Sequence, residues 1–216
     1  MADKDSRSGL RYNAPDISAF VDRVHAAHDA ALERAFAAPG KNAMPEIQVG
    51  ASEGKLLTLL TRMVQARKVV EIGTLAGYSA LRIVRGLAPG GKLWTLELDP
   101  RHAEVARANF SAAGVSDRID VLVGPALDSL ATLSPHAPFD AVFLDADKGG
   151  YLDYARWAHT HLRPGGLLLA DNSYLFGQLM ADSPNSTRMR EFHEFVARSF
   201  DSVCVPTPDG LVLGLR

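Results

Sequence analysis

The chain has 216 residues, 47% hydrophobic and 22% charged, with a formal net charge of −2 and one cysteine. At roughly 150 residues per domain, that is one domain with a modest extension, long enough to bury a core without covalent staples. The near-neutral balance leaves no electrostatic footprint for nucleic acid, and no apolar run approaches the ~20 residues of a membrane span. Met1-Ala2-Asp3-Lys4-Asp5 lacks a signal-peptide core, and Cys204 alone forms no internal disulfide. The expectation is a soluble, cytoplasmic protein with neither nucleic-acid nor membrane partners.

Residues 1–15 are polar and read as a loosely attached arm. Asp16 reads as the N-cap of an amphipathic helix over 17–38, with Ile17, Phe20, Val21 and Val24 on one stripe and Pro39-Gly40 as its stop. A second helix starts near Ser52. From residue 68 onward, short apolar runs alternate with helical stretches. Strands are expected at Lys68–Ile72, Lys92–Glu97, Ile119–Val123, Ala141–Leu144 and Leu167–Ala170, with helices at 78–87, 100–113, 126–133 and 150–162 between and after them. Leu167-Leu168-Leu169-Ala170 is apolar on both faces, as a covered parallel strand should be. The pattern predicts a doubly wound, Rossmann-like α/β sheet. A helix near 187–199 follows, and Val203–Val205 with Leu211–Leu215 reads as an antiparallel hairpin at a sheet edge. We expect one domain, with residues 1–45 as arm and helix and 46–216 as the α/β core.

Ligands of open α/β sheets bind beyond the carboxyl ends of the strands. There, Glu71-Ile72-Gly73-Thr74-Leu75-Ala76-Gly77-Tyr78-Ser79 places two glycines between the first strand and its helix. Gly73 and Gly77 either let backbone approach a ligand or simply serve a tight turn. The spacing is not the Gly-x-Gly-x-x-Gly of a dinucleotide site, and Glu71 favours a cationic or hydrogen-bond-donating ligand over a pyrophosphate. Glu97, a little over 20 residues on, is placed to accept from ribose hydroxyls, whereas Asp99 before Pro100 serves as a helix cap. The ligand implied is nucleoside-like.

Asp145 ends the fourth strand, and Asp171-Asn172 ends the fifth. Two adjacent carboxylates repel unless a cation lies between them, and this oxygen donor set suits Mg²⁺. Lys148 lies three residues after Asp145. Near a divalent cation its ammonium form is disfavoured, which suits it to act as a general base. The plainer readings are a solvated Lys148–Asp147 pair and acids that cap loops. His25, His28, His102, His159, His161 and His193 fall on predicted helices and read as surface residues.

On Glu71–Ser79, Glu97, Phe143-Leu-Asp-Ala-Asp-Lys148, Ala170-Asp-Asn172 and Asp209-Gly210, the sequence resembles the cation-dependent, S-adenosylmethionine-dependent O-methyltransferases. This family includes catechol and caffeoyl-coenzyme A O-methyltransferases. The resemblance covers roughly residues 45–216. It implies that Val49 and Gly50-Ala51-Ser52 flank the methionine part of the cofactor. Glu71, Gly73, Thr74 and Ser79 would hold its amino-acid end, Glu97 its ribose, and Gly124-Pro125-Ala126 its adenine. Ala126 and Leu127 stand where catechol enzymes carry polar side chains. Asp145, Asp171 and Asn172 match the metal ligands and Lys148 the base. Mg²⁺ would bind two neighbouring hydroxyls of an aromatic substrate, and the oxygen deprotonated by Lys148 would attack the methyl group in line with sulfur. Tyr174, Leu175, Phe176 and Met180 form an apolar group that either covers an aromatic ring or serves a core or dimer contact. The resemblance also favours a homodimer. The competing readings are a metal-independent methyltransferase, a nicotinamide-dependent dehydrogenase and a cofactor-binding protein without catalysis.

Overall fold

The computed structural model describes residues 14–216, so the reading of an arm over 1–15 falls almost wholly outside the described residues. Among these, strands β1 (Lys68–Ile72), β2 (Lys92–Glu97), β3 (Ile119–Val123), β4 (Phe139–Leu144), β5 (Leu162–Ala170), β6 (Asp201–Val205) and β7 (Leu211–Leu215) form one sheet. Its order is β3-β2-β1-β4-β5-β7-β6. The first five are parallel, while β7 runs antiparallel to β5 and to β6. The strand order reverses between β1 and β4, the place where such sheets open a crevice.

Alternation along the strands sends side chains to opposite faces, and both faces are covered. Val70, Ile72, Val142, Leu144 and Leu168 pack beneath helices α7 (Ala126–Leu133), α8 (Tyr151–His161) and α9 (Pro184–Ser199). Val69, Ala141, Phe143 and Leu169 pack on the other face, against α4 (Ala51–Met63), α5 (Tyr78–Val84) and α6 (Pro100–Ala112). The doubly wound α/β architecture with an antiparallel C-terminal edge is therefore present.

The helix expected over 17–38 is three pieces: α1 (Pro15–His25), α2 (Ala30–Phe36) and α3 (Ala38–Lys41). Proline at the start of α1 makes Ala14 its N-cap, without a side-chain cap bond. Asp16 thus lies in the first turn, where a carboxylate suits the helix dipole. Asp29 begins α2 by accepting from the Leu32 N–H at 3.0 Å, a local bond that competes with continuing the helix. Pro39 sits in the first turn of α3, where its missing N–H costs nothing, so it does not act as a stop. The stripe of Ile17, Phe20 and Val24 is 51%, 56% and 51% exposed. The Ser52 hydroxyl of α4 donates to Asp22 of α1. His28 lies between α1 and α2, not on a helix, and its Nε2 is 2.8 Å from the Tyr78 hydroxyl.

Two backbone bonds beyond the strand ends set the functional edge. The Asp145 N–H donates to Ile72 O at 2.8 Å, and the Asp171 N–H donates to Leu144 O at 3.0 Å. Each continues the ladder by one residue, so the two aspartates leave the sheet side by side. Past them, residues 173–176 are held by the β6–β7 turn. Ser173 and Tyr174 N–H groups donate to Gly210 O and Asp209 O at 2.9 Å each, and the Phe176 N–H donates to Asp209 Oδ2 at 3.1 Å. No helix among the described residues is long and apolar enough to cross a membrane.

Candidate active site

A cavity of about 440 Å³ crosses the carboxyl ends of β1, β2 and β4. Of the residues assigned to a cofactor from sequence, Val49, Gly73, Thr74, Ser79, Glu97, Ala126 and Asp145 line it, as do Gly124, Pro125 and Leu127. Gly77 and Glu71 stand outside that lining. Gly77 begins α5 at φ +84°, and a Cβ there would lie 2.4 Å from the Phe110 ring, so the turn itself requires glycine. Gly73 serves both purposes. It faces the cavity at φ +98°, and a Cβ on it would meet Asp145 O at 2.0 Å.

Glu97 is fixed in place by backbone. Its Oε2 accepts from the Thr74 and Leu75 N–H groups at 3.1 and 2.8 Å, and its Oε1 from the Asp99 N–H at 2.9 Å. Lone pairs remain for a ligand, since each carboxylate oxygen accepts more than once. Asp99 caps α6 by accepting from the Arg101 N–H at 2.8 Å, as its place before Pro100 suggested. His102, read as a surface residue, also lines the cavity, with Nδ1 3.6 Å from Glu97 Oε1.

Glu71 is completely buried. Thr95 Oγ1 donates to its Oε2 at 2.5 Å, while Oε1 has no hydrogen-bond partner among the described residues. Burial pushes this carboxyl up to about 8, with the Ser79 and Thr95 hydroxyls pulling it back and Asp145 and Glu97 pushing it further. A buried acceptor without a donor is costly, and a ligand ammonium would relieve it.

At the other end, Lys148 Nζ donates to Tyr151 Oη at 2.7 Å and to Asp145 Oδ1 at 3.4 Å. Asp147 does not pair with it. Its Oδ1 accepts from the Tyr154 hydroxyl at 2.6 Å and its Oδ2 from the Gly150 N–H at 2.9 Å, so the reading of a Lys148–Asp147 pair is not borne out. Burial raises the Asp145 carboxyl, opposed by Lys148 and reinforced by Glu53. Asp171 is pushed up to about 7, first by burial and then by Asp145 and Glu53. Asn172 follows at φ +52°, a conformation asparagine tolerates. Among the described residues no three His, Cys, Asp or Glu side chains gather in ligating geometry. The candidate cation donors are therefore two crowded carboxylates and one amide oxygen, whose excess negative charge a divalent ion would neutralise.

A family model described as O-methyltransferase matches residues 23–216. The catechol O-methyltransferase of Mycobacterium tuberculosis is 47% identical over 174 residues, 81% of this chain and 79% of that one. Caffeoyl-CoA O-methyltransferase 1 of Eucalyptus globulus is 33% identical over 77% of this chain and 73% of its own. Among solved structures, the O-methyltransferase TomG of Streptomyces achromogenes, in complex with SAM, superposes with a TM-score of 0.87 at 35% identity, covering 100% and 99% of the two chains. The chain belongs to the O-methyltransferase family, in its catechol and caffeoyl-CoA branch, and is an enzyme of that class.

Sequence reasoning passed over Tyr151 and Glu53. Tyr151 opens α8 three residues after Lys148, so its position was readable, but a tyrosine on a buried face looks like core. Glu53 sits in the first turn of α4 and accepts from the Gly50 N–H at 2.9 Å, the pattern of a capping residue. Its effect on Asp145 and Asp171 arises only once α4 is packed beside them.

Proposed function

We propose that the protein transfers the methyl group of S-adenosylmethionine to one hydroxyl of a catechol-like small molecule, with Mg²⁺ or another divalent cation at Asp145, Asp171 and Asn172. The observation that carries this reading is the placement of Asp145 and Asp171 side by side beyond the strand ends, with Asp145 lining one end of the cleft and Lys148 against it. The donor is supported by the SAM in TomG, and the acceptor class by relatives named for catechol and caffeoyl-CoA. The site fits both groups: among the described residues, Glu71 Oε1 has no donor, and Lys148 is the cation that acts on the paired aspartates.

Val49, Gly73, Thr74 and Ser79 would bound the methionine end of the donor, with Glu71 behind them toward its ammonium. Glu97 would accept from the ribose hydroxyls, and Gly124 to Leu127 would lie along the adenine. Gly77 shapes the turn. A divalent cation would act as a Lewis acid, lowering the pKa of a hydroxyl bound to it. Lys148, as the neutral amine, takes that hydroxyl's proton at Nζ. The walls of the cleft hold donor and acceptor together, replacing a bimolecular encounter by a positioned one.

The test is methylation of small catechols, caffeoyl esters and flavonoids by EDTA-treated protein, with and without Mg²⁺. Activity that requires the cation and adjacent hydroxyls supports the reading; full rate in chelator points to a metal-independent methyltransferase instead. Lys148→Ala with normal turnover would remove the base assignment. We also propose a homodimer in a reducing, cytoplasmic setting. The exposed apolar residues of the C-terminal edge, Val203 and Leu215, suit an assembly, and the mass in solution decides it.

A further inference from the structure

We propose that Tyr151 is the positioning residue for Lys148: its hydroxyl fixes Nζ so that the one position on nitrogen not committed to protein faces the acceptor. This rests on the reading of Lys148 as the base.

Tyr151 is fully buried, with its ring edge-on to Phe192 at a centroid separation of 5.5 Å. Packing alone would be served by phenylalanine, yet the hydroxyl is the meeting point of three groups. Lys148 Nζ lies 2.7 Å away, Asp171 O 3.0 Å and Leu144 O 3.2 Å. A phenol has one hydrogen and must accept with its oxygen. Both carbonyls only accept, so the hydrogen goes to one of them and a lone pair is left for the lysine. The direction of the bond is therefore fixed by the backbone at the ends of β4 and β5, the same backbone that carries Asp145 and Asp171.

An ammonium has three N–H groups, whereas a neutral amine has two and a lone pair. Tyr151 Oη and Asp145 Oδ1 take two N–H groups in either state. The third position is a lone pair before proton transfer and an N–H after it. The nitrogen can thus gain a proton without breaking either bond to the protein. Without the Tyr151 oxygen, Nζ would be held only by the longer contact to Asp145, and its lone pair would point over a wide range of directions.

The test is Tyr151→Phe, alone and combined with Lys148→Ala, assayed with 3,4-dihydroxybenzoate, S-adenosylmethionine and Mg²⁺. Calorimetric titration with S-adenosylmethionine serves as the check that the variant folds. We expect kcat to fall about tenfold in Tyr151→Phe, with KM for the donor and the Mg²⁺ concentration for half-activation unchanged. The double variant should be no slower than Lys148→Ala. In ¹⁵N-lysine spectra of the metal-free protein, the Nζ signal that vanishes in Lys148→Ala should exchange with water severalfold faster in Tyr151→Phe. An unchanged kcat or Nζ signal in Tyr151→Phe overturns the inference while leaving Lys148 as the base. So does an additive loss in the double variant or a raised Mg²⁺ requirement, either of which assigns Tyr151 to holding the Asp171 backbone. Normal turnover in Lys148→Ala instead removes the underlying reading, and the inference falls with it.

Discussion

The carbonyl oxygen of Asp145 lies where a side chain on Gly73 would begin: a Cβ at Gly73 would be 2.0 Å from it. The turn after β1 is thus nested under the residue that follows β4 and begins the acidic edge. Gly73→Ala adds both a backbone clash and the strain of φ +98°, and we expect it to cost at least ~3 kcal/mol. Gly90→Ala is the control, because at φ +75° it meets nothing within 4 Å and should cost only about 1 kcal/mol. Urea midpoints of the two variants measure the difference, and equal losses would refute the argument.

Asp171 should make the metal-free protein less stable as the pH rises from the acidic range to neutrality. Its folded carboxyl is pushed up to about 7 from an ordinary 3.8, so the folded state holds a proton that the unfolded chain releases. Stability is therefore greatest below 3.8 and is lost as pH rises toward 7, by on the order of 2–4 kcal/mol. Asp171→Asn should flatten this decline. Thermal melts of EDTA-treated protein at pH 5 and pH 8 measure it, and Mg²⁺ at pH 8 should raise the midpoint of the parent but not of the variant.

Glu71, proposed to face the ammonium of the donor, makes a second pH dependence testable. At neutral pH a carboxyl raised to about 8 is mostly protonated, and an arriving ammonium displaces that proton. Affinity for S-adenosylmethionine should therefore increase between pH 6 and pH 8, above which the ligand's own ammonium begins to lose its proton. Glu71→Gln should weaken binding about tenfold at pH 8 and abolish the slope. Calorimetric titrations in buffers of differing ionisation enthalpy read both, and a variant with an unchanged slope would exclude Glu71 as its source.

Phe176 is 65% exposed, with its ring 6.0 Å from Lys148 Nζ. On the proposed reading, this exposed aromatic beside the lysine would cover a substrate ring. Phe176→Ala should leave stability within ~0.5 kcal/mol and raise KM for a catechol severalfold with little change in kcat. A thermal melt and a substrate titration separate this from a merely structural residue.

The strands of the parallel sheet were legible because strands covered on both faces are apolar at most positions, as Leu167-Leu168-Leu169-Ala170 shows. Asp145 and Asp171 were legible for the complementary reason, since acids directly after such runs stand at the sheet's edge. The break of α1 from α2 was not, because it depends on one side-chain bond from Asp29 that competes closely with helix propagation. The partner of Lys148 was hidden in a different way. Sequence offered Asp147 as the adjacent acid, but the turn into α8 commits that carboxylate to Gly150 and Tyr154 and delivers Tyr151 in its place.

The hydrogen bonds from residues 173, 174 and 176 to Asp209 and Gly210 tie the loop after β5 to the turn between the last two strands. Gly210 also admits the Tyr174 ring, which a Cβ there would meet at 2.6 Å. The antiparallel edge is therefore a mooring for the loop proposed to meet the substrate, and the Asp-Gly pair near the chain's end is its cleat. Changes beyond residue 176 can reshape that loop while its anchor, and the acidic edge beneath it, stay where they are.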